Sequence, residues 1–597
     1  MTKIAMLKLE SFLLFRGWRW CDSAAASMLF LASAAVVLWQ NAHLAILWDG
    51  SYTLDTSIRI AMGQMPYRDF PLVHSPLTFI TQAAIIRLWG RVYLHHVLYA
   101  AVVGGLSTVL AWRITLHSLR GRLRAAWLVS LCLGAPLIVL GNYSILPFPS
   151  YDCDTVFSIL LAVLILQRVD ENSSDLSSKR GGRLPRPCLA GAALTLPLFF
   201  KQNIGLPFLV AALALVFLLL LARLAHYNRT SHSSPATLGA ILAGAAASLL
   251  GASLLLHFTA GIGNAVYWTI QFAAERRLPG LDLMFSVYTE PMLLWQLPAV
   301  AAALVLLHSR LAHSRWARMT ALGLLAAPFL WTLAGIFISS DADDRASNLL
   351  ALWPLLLVLS GTLTLVQLWR TPGLRSILPA IVLAAIQGTL LSQQLWGSTY
   401  AIWPLLVFLI ADMIAFLASM EERAAVRPRL PSIVPALALT ISVALLICGG
   451  LYTASEERLS YVQLPEGPIY QSAFPALRGM AIAGPYLPEF EELLRFAGKE
   501  IPSSDGLILI PGEDPFYFAT GRISQFPVLL FDRSTDPYSP AQLVEEARRR
   551  PIRWLIVKRN LQIKEDVTPQ RAATIEALQQ IFLPYCKLAG YDVYRRP

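Results

Sequence analysis

Long apolar runs separated by short polar loops fill the first three quarters of the chain. A membrane-spanning helix needs roughly 20 apolar residues, and by that measure the runs predict about 13 spans. They lie near residues 24–46, 93–116, 125–141, 154–167, 188–200, 203–222, 236–258, 291–307, 319–338, 348–369, 376–393, 400–418 and 432–452. The pattern therefore predicts a polytopic α-helical membrane domain over residues 1–452.

The pattern changes after the last predicted span, where turn residues separate short apolar runs. Leu507–Pro511 and Trp554–Val557 are apolar runs typical of buried strands. Ser539 followed by a proline is a typical helix start, which predicts a helix over Pro540–Arg550. The order strand, helix, strand predicts a small α/β domain over residues 453–597, and no nucleotide-binding glycine motif occurs in it.

The composition and the distribution of charge agree with a membrane protein. Hydrophobic residues make up 56% of the chain and charged residues 14%, against about 25% charged in a soluble domain. The net charge of +11 is explained by topology rather than by nucleic acid, because the cations cluster in alternate loops. These clusters are Lys3 to Arg19, Arg120 to Arg124, Lys179 to Arg186, Arg223 and Arg229, Arg310 to Arg318, Arg370 and Arg375, and Arg423 to Arg429. The positive-inside rule then places the N-terminus in the cytoplasm and the C-terminal domain outside.

The loops assigned to the outer face carry the candidate site residues. They combine carboxylates, cations and aromatic residues, a set that suits a substrate bearing a phosphate and a sugar. Cations hold phosphate, aromatic rings stack on sugars, and a carboxylate or histidine can act as a base. The candidates for catalysis are Asp49, His74 and Asp152, and those for phosphate binding are Arg68, Lys201 and Arg345.

Each candidate also has a purely structural explanation. Asp49 and Asp152 could cap helices, His74 could hydrogen-bond within its loop, and Lys201 could extend from an apolar run toward water. Arg345 could pair with a neighbouring aspartate. In the first outer loop, Asp55 and Arg59 have the i, i+4 spacing of a helical ion pair.

The six cysteines are scattered and form no CxxC pair, so a thiolate metal site is not expected. Cys153 and Cys586 would both face the outside. Because their spacing in sequence says nothing about their approach in space, two free thiols are favoured over a disulfide.

Three segments of the first outer loop resemble that loop in the GT-C glycosyltransferases. They are Trp48-Asp49-Gly50-Ser51-Tyr52, Gly63-Gln64-Met65-Pro66-Tyr67-Arg68-Asp69-Phe70 and His74-Ser75-Pro76-Leu77. The loop looks most like bacterial relatives of glycosyltransferase family 39, a group that includes protein O-mannosyltransferases and lipid A aminoarabinose transferases. The span pattern, Lys201-Gln202 and the outer C-terminal domain extend the resemblance.

The resemblance implies an enzyme of the bacterial cytoplasmic membrane that acts on the outer face. Its donor would be a monosaccharide on a polyprenyl phosphate, its acceptor a hydroxyl of a lipid, glycan or protein, and Asp49 would lie beside the transferred sugar. Many relatives have Asp-Glu where this chain has Asp49-Gly50, and some have an acidic residue near the place of His74. These departures leave the acceptor type and a requirement for a divalent metal open.

Two other classes of function compete with glycosyl transfer. A transporter or flippase of lipid-linked glycans predicts charges deep within the spans, and few occur there. An assembly protein whose outer domain binds a partner predicts no convergence of acid, cation and aromatic residues on one face.

Overall fold

The first part of the chain is a bundle of α-helices. The computed structural model describes residues 19–175, 185–225, 233–339, 348–391, 401–424, 432–455, 459, 461–532, 535–564 and 569–597. The helices up to residue 259 are α1 (Trp20–Asn41), α2 (Leu47–Ala61), α3 (Leu77–Trp89), α4 (Tyr93–Leu119), α5 (Ala126–Gly134), α6 (Leu137–Leu140), α7 (Tyr151–Asp175), α8 (Pro185–Phe200), α9 (Gln202–Leu224) and α10 (Pro235–Thr259). The later ones are α11 (Ile262–Val266), a π-helix (Tyr267–Phe272), α12 (Ala273–Arg277), α13 (Leu281–Phe285), α14 (Leu293–His308), α15 (Arg315–Ile338), α16 (Leu352–Arg370), α17 (Leu374–Thr389), α18 (Trp403–Ala424) and α19 (Val434–Ala454).

Within the described ranges, eight helices are long and apolar enough to cross a membrane, or nine if α14 and the bent segment before it form one span. They are α1, α4, α9, α10, α15, α16, α18 and α19. The chain is therefore a multi-pass membrane protein, as its composition predicts. The count of about 13 spans is not confirmed.

The remaining predicted spans are short, broken or charged. The run at 125–141 is divided into α5 and α6 before Pro136, where proline cannot continue the hydrogen-bond ladder. Helices α8, α14 and α17 have 16 residues each, and α7 carries two aspartates in its first turn. Apolarity alone does not decide whether a short or broken helix crosses a membrane, so these spans stay predictions.

Three tryptophans at the ends of apolar helices are strongly exposed. Trp20 at the start of α1, Trp316 at the start of α15 and Trp369 at the end of α16 are each more than four-fifths exposed. Tryptophan is enriched at the membrane–water boundary. The three helix ends are therefore suited to a membrane interface, and the loop charges predict that all three lie on the cytoplasmic side.

The orientation remains a proposal with a direct test. A reporter that is active only outside the cytoplasm should be active when fused after Pro597 and silent when fused after Arg122 or Arg370. We expect this because the positive-inside rule places those arginines inside. The opposite pattern of reporter activity would reverse the topology and move the candidate site to the inner face.

The chain after α19 forms a small α/β unit. Its elements are β1 (Ile469–Gln471), β2 (Ala481–Ala483), α20 (Tyr486–Glu500), β3 (Gly506–Ile510), α21 (Phe516–Thr520), α22 (Pro540–Arg549), β4 (Ile552–Lys558), α23 (Pro569–Gln579), β5 (Leu583–Lys587) and β6 (Tyr591–Arg595). The main sheet has the order β3-β4-β6-β5, with β3 and β4 parallel and the other pairs antiparallel. The predicted strands and helix are confirmed, and Ser539 caps α22 by accepting a hydrogen bond from Gln542 N. That the chain divides into two domains at residues 452 and 453 stays a prediction.

The core of this unit is continuous with α2. Leu54 and Ile58 of α2 pack in the same apolar cluster as Leu507 of β3 and Trp554 of β4. The predicted ion pair between Asp55 and Arg59 is wrong, because both side chains bond to the C-terminal unit instead. Asp55 accepts from the amides of Tyr517 (3.2 Å) and Phe518 (2.7 Å), and Arg59 donates to the carbonyls of Phe526 and Pro527.

Candidate functional site

A cavity of about 940 Å³ lies between the helix bundle and the C-terminal unit. One part of its wall is apolar and is formed by α9, α10 and the residues that follow α10: Leu206, Leu249, Leu256, Ile262, Val266 and Ile270. Another part is polar and includes four of the residues that the sequence singles out: Asp49, His74, Asp152 and Lys201. Side chains distant in sequence therefore meet at one half-apolar, half-polar space, the usual character of a ligand site.

Asp49 lies in the first turn of α2, a helix that is not among the membrane-crossing ones. Its carboxylate Oδ2 accepts a hydrogen bond of 2.7 Å from the hydroxyl of Tyr461. Burial raises the pKa of Asp49 to about 6; the bond from Tyr461 and the charge of Lys201 oppose that rise, while the charge of Asp152 adds to it. A carboxylate with a pKa close to neutral is suited to general base catalysis.

Lys201 and Asp152 form a buried ion pair at the cavity wall. The two side chains are 6% and 10% exposed, and Lys201 Nζ lies 2.5 Å from Asp152 Oδ1. Lys201 is the residue that precedes α9, and Asp152 lies in the first turn of α7. The ammonium also lies 5.1 Å from the ring centroid of Tyr151, a cation–π distance. The pair leaves a fixed cation facing the cavity.

His74 is held between aromatic residues. Its ring stacks on Tyr151 with centroids 4.2 Å apart, and its Nδ1 lies 2.9 Å from the hydroxyl of Tyr52. The hydroxyl of Tyr67 donates to the His74 carbonyl at 2.7 Å. Because the Tyr151 ring also lies beside Lys201, His74 and Lys201 both contact the same aromatic ring.

Gln202 fixes the loop that carries His74. Its Nε2 donates to the carbonyls of Val73 (2.8 Å) and Thr269 (3.0 Å), and its Oε1 accepts from Ser75 N (3.1 Å). One side chain thus joins the loop between α2 and α3, the start of α9 and the π-helix. Such a network gives the cavity wall a defined shape before any ligand enters.

The C-terminal unit completes the wall with residues that the sequence did not single out. These are Tyr461, Leu530, Asp532, Thr535, Ile563 and Arg571. The guanidinium of Arg571 lies 5.9 Å from the ring of Trp48, which also lines the cavity. None of these residues lies in a motif, so no local pattern could have indicated them.

Of the two remaining candidates, the structure describes only Arg68. Arg68 is not part of the cavity wall; its side chain is 54% exposed and pairs with Asp69 at 2.8 Å. Arg345 lies outside the described residues. Asp154, two residues after Asp152, is buried and accepts hydrogen bonds from Thr78, Tyr99 and Tyr143, which indicates a structural role.

Neither a metal centre nor a disulfide is found in the part of the chain that the structure describes. No group of three or more His, Cys, Asp or Glu side chains there is placed to hold a metal ion. Cys153 is buried, Cys586 is partly exposed, and both are free thiols, as the sequence favours.

Comparison with solved structures identifies the architecture. The chain aligns with the oligosaccharyltransferase of Archaeoglobus fulgidus in its apo form, over 98% of this chain and 75% of that one, with a TM-score of 0.50 and 11% identity. The chain therefore shares the fold of this archaeal oligosaccharyltransferase. At this identity the likeness concerns the fold alone.

Two further similarities are weaker. The Archaeoglobus fulgidus enzyme AglB in complex with an inhibitory peptide and a dolichol-phosphate aligns with a TM-score of 0.48 and 11% identity, over 90% of this chain and 70% of that one. ArnT from Cupriavidus metallidurans bound to undecaprenyl phosphate gives a TM-score of 0.40 and 12% identity, over 95% and 97%. No protein-family model matches the sequence, and no curated protein matches it either.

Proposed function

We propose that this protein transfers a monosaccharide from a polyprenyl-phosphate donor to an acceptor hydroxyl on the outer face of the bacterial cytoplasmic membrane. The observation that carries the proposal is the cavity itself. A carboxylate whose pKa is raised to about 6, Asp49, lines the same cavity as an apolar wall and a buried cation, Lys201, whose charge acts on it. The GT-C fold supports the same reaction class.

A polyprenyl-phosphate sugar has an apolar chain and a polar head, which correspond to the apolar and polar parts of the cavity wall. A polyprenyl chain would lie against the apolar residues of α9 and α10, where burial of hydrocarbon is favourable by about 25 cal/mol per Å². Its phosphate would approach Lys201, whose ammonium carries three donors and gives one to Asp152. The sugar would then lie among Tyr151, His74 and Asp49, since aromatic rings and polar side chains surround that part of the cavity.

The reaction needs a base and a stabilised leaving group. The acceptor oxygen attacks the anomeric carbon, the bond from that carbon to the phosphate oxygen breaks, and the acceptor proton passes to Asp49. The leaving polyprenyl phosphate gains negative charge, which Lys201 stabilises electrostatically. A single displacement of this kind inverts the anomeric centre, through a transition state with oxocarbenium character like that of glycoside hydrolysis.

The proposal is tested by the chemical fate of the donor. The protein would be reconstituted in vesicles that contain one defined polyprenyl-phosphate sugar and an extract of envelope lipids and glycans as the acceptor source. Mass spectrometry should then detect free polyprenyl phosphate and a new glycosylated product. A donor whose head group appears on the opposite leaflet with its glycosidic bond intact would instead indicate transport and would overturn the proposal.

A further inference from the structure

Two paired segments of the C-terminal unit contact α2, the helix that carries Asp49. The chain just after α19 pairs with a second segment of the unit: Lys564 N donates to the Tyr461 carbonyl at 2.8 Å and Gln463 N donates to the Gln562 carbonyl at 2.6 Å. Val462 and Ile563 form a β-bridge between them. We call this pair of segments, residues 461–463 and 562–564, the clasp.

Within the clasp, the side chain of Gln562 hydrogen-bonds to the backbone at the start of α2. Its Oε1 accepts from Leu47 N at 2.7 Å, and its Nε2 donates to the Ala45 carbonyl at 3.0 Å. Leu47 is the first residue of α2, and the residue before it, Ile46, offers no side-chain cap. The first amides of a helix lack partners within the helix, so Gln562 supplies one from 515 residues away in sequence.

Also within the clasp, the hydroxyl of Tyr461 donates a hydrogen bond of 2.7 Å to the Asp49 carboxylate. The other charged groups that act on Asp49 come from different elements: Asp152 on α7 opposes its negative charge, and Lys201 before α9 favours it. His74, Asp532 and Arg571 line the same cavity. Among these groups, the tyrosine hydroxyl is the one hydrogen-bonded to the Asp49 side chain in the described structure.

We infer that Tyr461 and Gln562 are positioning residues for the base, and that the C-terminal unit thereby completes the catalytic site of the membrane bundle. The inference rests on the proposed function. Gln562 fixes the first turn of α2, and Tyr461 fixes the rotamer of Asp49 and favours its ionised form. A hydrogen bond donated to a carboxylate favours the charged state, so the clasp keeps Asp49 ready to accept a proton.

The test is the pH profile of Tyr461→Phe, a substitution that removes one hydroxyl and keeps the ring. In the parent enzyme the rate should rise with pH through about 6, because the base must be ionised. Without the hydroxyl the pKa of Asp49 rises, so the acidic limb should move to higher pH by about one unit or more. The KM for the donor should stay near that of the parent, and the rate should recover well above the new midpoint.

A matched control and a second variant complete the experiment. Tyr470→Phe alters an exposed tyrosine of the same unit that does not line the cavity, and should leave the profile unchanged. Gln562→Met keeps the length of the side chain without its bonds to Leu47 N and the Ala45 carbonyl, and should lower kcat at least several-fold at constant KM. An unchanged acidic limb in Tyr461→Phe would overturn the inference. If Asp49→Asn nevertheless loses activity, the proposed function still stands.

Discussion

Asp49→Asn is expected to reduce sugar transfer by about 100-fold or more, with donor binding retained. Asparagine keeps the size of the side chain and can still accept a hydrogen bond from Tyr461. It cannot take up a proton near neutral pH, so the acceptor hydroxyl loses its base. Turnover would be measured at saturating donor, and donor affinity in parallel on the same preparation.

The structural alternative makes the opposite prediction for the same variant. Asp49 lies in the first turn of α2, where a carboxylate also interacts favourably with the helix dipole. If it served only to stabilise the helix, asparagine would replace it at little cost. Asp592→Asn is the control, since Asp592 belongs to a partly exposed ion pair with Arg559 and such pairs contribute little. Turnover of Asp49→Asn within a few-fold of the parent would remove Asp49 as the base and leave Asp152 or His74.

Lys201→Ala is expected to weaken binding of the donor by roughly 10- to 150-fold, since a hydrogen bond to a charged group is worth about 1.5–3 kcal/mol. Lys201→Arg should keep part of the affinity, because the charge remains while the shape of the cation changes. Binding would be measured with a polyprenyl-phosphate sugar and with its uncharged polyprenol counterpart. Only the phosphate-bearing ligand should be affected.

The ion pair with Asp152 requires a control of its own. Removing Lys201 leaves a carboxylate that is 10% exposed without its cation, which is itself destabilising. The double variant Lys201→Ala with Asp152→Asn removes both charges and should restore stability but not donor affinity. If the double variant binds the donor as tightly as the parent, Lys201 serves the fold rather than the phosphate.

Much of the site follows from the sequence because its residues lie in local patterns. Asp49, His74 and Lys201 each stand at the end of an apolar run or beside a proline, and the charge of the loops assigns them to one face. Arg68 lies away from the cavity wall for a local reason, since Asp69 beside it in sequence holds its guanidinium at the surface. A pattern of charges gives the face of the membrane but not the direction of a side chain.

The contribution of the C-terminal unit could not be predicted in the same way. Tyr461 lies 412 residues from the carboxylate that it contacts, in a connector without a motif. Asp55 and Arg59 have the spacing of a helical pair, yet backbone groups of the C-terminal unit satisfy both. Tertiary contacts thus replace the predicted pairing of Asp55 with Arg59. They follow from the packing of the C-terminal unit on α2, which the sequence does not show. The span count stays unconfirmed for a related reason, since apolarity alone does not say whether a short helix crosses a membrane.

The most direct test of the account is the release of polyprenyl phosphate in a single turnover. Purified protein would be loaded with a polyprenyl-phosphate sugar, mixed with the acceptor extract, and stopped at short times for mass spectrometry. We expect the parent to release free polyprenyl phosphate and to form a glycosylated product. Asp49→Asn should bind the same donor but release polyprenyl phosphate at least about 100-fold more slowly. Equal release by the two proteins, or recovery of intact donor from the parent with every donor sugar supplied, would contradict it.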